Sequence, residues 1–145
     1  MPTEISTQTS VTIDAPAARV WEALTTPELI KEWFFGVDTE TDWTEGGSIV
    51  HRGEYEGEAY EDTGTIVRIV PERMIVHTHW SPVSGLPEGP DNYQEVAWTL
   101  VDEHDRTKLT VSETNLPSRE AKAASEQGWK IALTGLKDLL QDARS

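Results

Sequence analysis

The spacing of apolar positions along this chain changes three times. In residues 4–13 it alternates, with Val11 and Ile13 on one side, which predicts a first strand. Asp14 and Pro16 then open a helix in which Ala17, Val20, Trp21 and Leu24 recur at helical spacing and form one buried stripe. Thr26 can cap a second short helix, with Pro27 at its first position and Glu28 near its positive end. That helix carries Leu29, Ile30, Trp33 and Phe34 and stops at Gly36.

From there the period falls to two. "VDTETDW" (37–43) and "SIVHRGEY" (48–55) read as partner strands around an "EGG" turn, and 58–70 as a further strand, irregular near Gly64. In "RMIVHTHW" (73–80), Met74, Val76, Thr78 and Trp80 share one face, read as the core side. Ile75, His77 and His79 share the other, read as the solvent side. Residues 81–92, rich in proline and glycine, predict an ordered but irregular loop. Strands at 93–101 and 106–114 direct Val96, Trp98, Leu100, Leu109 and Val111 into one layer. The helical period then returns for a long helix over roughly 119–141, begun by Ser118 and striped by Trp129, Ala132, Leu133, Leu136 and Leu140. Consecutive antiparallel strands with helices at the ends define an α+β class, the last helix burying its stripe on the sheet.

Composition changes this picture mainly by exclusion. The 145 residues fit one domain, 1–145. No cysteine is present, which removes disulfides, iron–sulfur ligation and thiol catalysis. Twenty-six acidic against twelve basic residues give a net charge of -14, which argues against nucleic acid or anionic membranes as partners and for a solubilised surface. The start, "MPTEISTQTS", has neither a basic region nor an apolar run, so a cytoplasmic location is expected.

Four stretches in this order, "APAARVWEALTTPELIKEWF" (15–34), "EGG" (45–47), "GTIVRIVPERMIVHTHW" (64–80) and "EQGWKIALTGLKDLL" (126–140), resemble the START-like (SRPBCC) helix-grip superfamily. Within it the chain is similar to the family of the activator of Hsp90 ATPase carboxy-terminal domain. The resemblance implies a curved antiparallel sheet around a long carboxy-terminal helix, with a cavity between. Members carry lipids, sterols, hormones or polyketides there, and some catalyse cyclisation or dehydration. Fold alone does not transmit chemistry. The leading expectation is a small hydrophobic or aromatic ligand; the alternatives are a chaperone-associated interaction module and a cavity enzyme of cyclase, dehydratase or hydrolase type. Either a monomer or a homodimer is compatible.

On this reading Trp21 is core, while Trp33 and Phe34, beside Gly36 near the implied entrance, are either pocket wall or plain core. Tyr60, Trp80, Trp98 and Trp129 are further lining candidates, with packing as the alternative. His51 shares a strand face with Ile49 and is a candidate hydrogen-bonding group at the pocket, without an orienting partner for catalysis. His77 and His79 offer no third metal ligand, so no metal and no cofactor are expected. The acidic residues of "EYEGEAYED" (54–62) read as a solvated face, and no catalytic residue is assigned. Gly128 and Gly135 suggest either a close approach of the last helix to the sheet, the preferred reading, or space left for a ligand.

Overall fold

The computed structural model describes residues 5–82 and 86–142. Strand β1 (Thr7–Ile13) leads into helices α1 (Ala17–Thr25) and α2 (Pro27–Trp33), followed by β2 (Asp38–Thr41), β3 (Ser48–Tyr55), β4 (Glu58–Val70), β5 (Met74–His79), β6 (Gln94–Glu103), β7 (Arg106–Thr114) and the long helix α3 (Arg119–Asp142). The strands form one curved antiparallel sheet in the order β1-β7-β6-β5-β4-β3-β2. Among the described residues, β1 and β7 are the neighbours that are not consecutive in the chain. Residues 83–85, within the expected loop, and 1–4, at the start of the expected first strand, lie outside the described residues.

Local chemistry sets the breaks. Thr26 is extended, and Pro27 starts α2 at the position where its missing N–H is harmless. After α2, Phe35 and Gly36 both adopt left-handed φ, 53° and 72°, and turn the chain back toward β2. Gly64 is required by space: a Cβ there would stand 1.8 Å from the Thr78 carbonyl oxygen. At that point the Thr65 N–H bonds the Thr78 hydroxyl at 2.9 Å, and the β4–β5 register shifts between Ile66 and Arg68. The expected irregularity of this strand is thus a close crossing of two backbones.

The core lies between the sheet and the helices. Ile13, Val20, Leu24, Ile66, Leu109 and Val111 meet Leu133, Leu136 and Leu140 of α3, whose first turn is capped by Ser118 Oγ accepting from the Ala121 N–H at 3.0 Å. Two expectations change here. Gly135 faces α2, with its added Cβ 3.4 Å from the Trp33 carbonyl oxygen, and Gly128 faces open space, so neither glycine serves an approach to the sheet. Trp21 is only partly buried, whereas Trp33 is 6% exposed, so Trp33 is the deeper of the two. No helix among the described residues is long and apolar enough to cross a membrane.

The faces of β5 are the reverse of those read from its alternation. Ile75 and His77 are buried, and with His79 they point to the concave side, while Met74, Val76 and Thr78 point away. Register explains it: Ile75 pairs with Trp98 and His77 with Val96, and cross-strand partners share a face.

Candidate functional site

Between the concave face of the sheet and the helices lies a cavity of about 200 Å³. Its helix-side wall is aromatic. Trp33 meets Phe34 with ring centroids 5.3 Å apart and Trp98 edge-on at 5.8 Å. Phe34 stacks on Trp129 at 5.8 Å, and Trp129 meets Trp98 edge-on at 5.2 Å. The four rings close on one another, in the offset and edge-to-face geometries that aromatic quadrupoles favour. Trp33 Nε1–H donates to the Ala23 carbonyl at 2.9 Å, which fixes the indole to α1. Phe35, 61% exposed, stands at the rim.

The sheet-side floor is polar. Thr39 pairs with His51, and His51 with Asp62, so the three stand in a row across β2, β3 and β4. His79 Nε2 donates to Asp62 Oδ2 at 2.9 Å, and its Nδ1 lies 3.5 Å from Gln94 Oε1. His77 Nδ1 donates to the Thr78 carbonyl at 2.9 Å, which fixes its tautomer and leaves Nε2 as the acceptor of the neutral ring. At the far side Glu113, 7% exposed, accepts from Ser125 Oγ and, at 3.2 Å, from Trp129 Nε1. Tyr60 completes this side, its ring laid over Gly53 on the neighbouring strand.

The imidazoles are electrostatically unlike. Burial, followed by repulsion from His77 and His79, pushes His51 down to about 3. Burial also pulls His77 down to about 4, against a smaller opposing effect of its bond to Thr78. Burial opposes the charged form of His79 too, but the bond to Asp62 and the charges of Asp62 and Glu113 outweigh it, so its pKa is raised. The floor therefore holds two imidazoles driven toward the neutral form beside a third, His79, drawn toward the charged form by its bond to Asp62. Burial, then the nearby Asp62 charge, raises the Tyr60 phenol. Among the described residues no group of three or more His, Asp or Glu side chains is placed to hold a metal ion.

Residues 14–141 match the family described as Activator of Hsp90 ATPase homolog 1-like protein. The chain belongs to this family. It shares 37% identity and a TM-score of 0.84 with the solution structure of ChR145 from Cytophaga hutchinsonii, covering 99% of this chain and 98% of that one. DynU16, a protein in the dynemicin biosynthetic locus, is similar at 25% identity and a TM-score of 0.75, over 97% of this chain and 48% of that one. The Aha1 dimer from Colwellia psychrerythraea, at 19% identity, shares the fold with a TM-score of 0.73, over 92% of this chain and 94% of that one. No curated protein matches the sequence significantly. The fold of this family member is the helix-grip fold of the START-like superfamily.

Six of the seven expected lining residues of this family member, Trp33, Phe34, His51, Tyr60, Trp98 and Trp129, border the cavity. Trp80 does not: it follows the outward face of β5, and its Nε1–H donates to the Leu86 carbonyl at 3.2 Å. His77 and His79, expected at the solvent side, lie in the floor, as does Asp62, expected in a solvated face. Thr39, Trp43 and Glu113 also line the cavity, and sequence reasoning missed them. The pairing of β5 with the inward Val96 and Trp98 was the signal that could have placed the histidines. For Asp62 that signal was its place opposite His51 in the 48–70 hairpin.

Proposed function

We propose that this protein binds a small hydrophobic or aromatic molecule in the cavity between the sheet and α3. The carrying observation is the closed wall of Trp33, Phe34, Trp98 and Trp129 facing about 200 Å³ of space. An apolar cavity of roughly 150 Å³ admits benzene, so a guest of one ring or two fused rings suits this volume. The likeness to DynU16, a protein of a biosynthetic locus, supports a small-molecule role. The test is a titration with bicyclic aromatics, following tryptophan emission and the thermal midpoint. Binding to the folded state raises the midpoint, by an amount that grows with ligand concentration. A midpoint unmoved by every compound contradicts the reading.

A second reading, docking to an Hsp90-class chaperone, is favoured by the family description and by the exposed Phe35 at the rim. It predicts that the purified protein stimulates the ATPase of such a chaperone, and that Phe35→Ser abolishes the stimulation. No stimulation by the wild-type protein contradicts it.

A further inference from the structure

The cavity floor keeps polar atoms that have no partner among the described residues. Asp62 Oδ1 and Thr39 Oγ1 are buried and have no hydrogen-bond partner among the described residues. Their residues are 9% and 7% exposed, and both line the cavity. They flank His51 in the row that runs across β2, β3 and β4. His77 adds a third acceptor, because its Nδ1–H is committed to the Thr78 carbonyl. Buried polar atoms in folded proteins are nearly always paired, so an unpaired carboxylate oxygen on a residue that lines a cavity points to a donor that arrives from outside.

We propose that the ligand is a hydroxylated aromatic molecule, phenol-like and of one or two rings, whose hydroxyl donates to Asp62 Oδ1 while its ring lies against Trp33, Phe34, Trp98 and Trp129. This rests on the ligand-binding reading above and adds the chemical class. Thr39 Oγ1 serves a second polar atom of the ligand on the other side of His51. A neutral hydroxyl fits better than an ammonium group. Asp62 Oδ2 already has the His79 ring as its partner at 2.9 Å, so what Oδ1 lacks is a hydrogen-bond donor. The burial that keeps His51 and His77 neutral also opposes a further cation in the same space.

The experiment is calorimetric titration of the full chain at pH 7.5 with 2-naphthol, 2-methoxynaphthalene and 2-(aminomethyl)naphthalene, with the thermal midpoint measured for each. The first two share a ring system and differ in the donor proton. The expected result is 2-naphthol binding at least about tenfold more tightly than the methyl ether, the size of a hydrogen bond to a charged acceptor. In Asp62→Asn the acceptor loses its charge, and the ratio should fall to about threefold or less. Equal binding of naphthol and ether, with a raised midpoint, overturns the hydroxyl assignment and leaves the ligand-binding reading standing. Tightest binding by the amine overturns it as well and makes Asp62 a counter-ion. No binding and no midpoint shift with any of the three removes both readings. If Asp62→Asn does not fold, the wild-type ratio still decides, and Thr39→Val should fold and retain the naphthol preference in full, because 2-naphthol carries no second polar atom for Thr39 to meet.

Discussion

On the helix side of the cavity, Trp33 gives its indole proton to Ala23 and Trp129 gives its own to Glu113, so both are satisfied before any guest arrives. On the sheet side, Asp62 and Thr39 each keep a buried oxygen without a partner among the described residues. The aromatic wall is thus a finished piece of the core that also happens to border space. The floor carries a local cost that a guest can relieve. Affinity for apolar matter and choice among guests reside on different elements, the first on α2, β6 and α3, the second on β2, β4 and β5.

The sharpest way to break this comparison is to remove a wall residue. Trp33→Ala deletes a buried indole and leaves the Ala23 carbonyl unpaired, and should cost about 3–5 kcal/mol in urea unfolding. Trp21→Ala, at a partly buried position, should cost about 1–3 kcal/mol. A larger loss for Trp21 would mean that the wall is not structural.

Acid probes the floor next. His51 and His77 are neutral in the folded state down to about 3 and 4, whereas in the unfolded chain they take up protons below their ordinary value near 6.5. Their contribution to stability is complete above about 6.5 and is lost as pH falls, by up to about 1.4 kcal/mol per pH unit for each ring. His79, raised, contributes in the opposite sense: its share is complete below its ordinary value and is lost as pH rises through the raised one. Unfolding free energies between pH 7 and 4.5 should therefore fall, and His77→Gln should flatten the slope. A slope unchanged in that variant contradicts the placement of His77.

The smallest effects separate cost from function most cleanly. Thr39→Val replaces an unpaired hydroxyl by a methyl of similar shape and should leave the unliganded protein unchanged or about 1 kcal/mol more stable. Thr7, whose hydroxyl is also buried and without a partner among the described residues, lies outside the cavity. Thr7→Val should have the same effect on stability and none on binding, while Thr39→Val should weaken the binding of a dihydroxynaphthalene, whose second polar atom it meets, and leave that of 2-naphthol unchanged.

The fold was legible because its elements rest on strong periodicity: α1, α3 and the inward residues of β6 and β7 follow from spacing alone. The wall was legible for the same reason, since Trp98 and Trp129 sit in stripes that face the interior. Of the floor, His51 and Tyr60 were legible and the rest was hidden. Alternation assigns apolar residues inward, and β5 carries apolar residues on both faces, with its histidines on the inner one. Asp62 sits in an acidic stretch that composition alone assigns to solvent, and only its pairing with His51 and its bond to His79 reveal the cavity. A site that buries polar groups breaks the very pattern by which cores are recognised.

The six tryptophans allow one direct test. Each indole N–H gives its own signal in a proton–nitrogen correlation spectrum, and 2-naphthol can be added until the spectrum stops changing. The account predicts that Trp33, Trp43, Trp98 and Trp129, which line the cavity, shift together, while Trp21 and Trp80, which do not, stay in place. Six unmoved signals at saturation, or shifts of Trp21 and Trp80 as large as those of the wall, would contradict it.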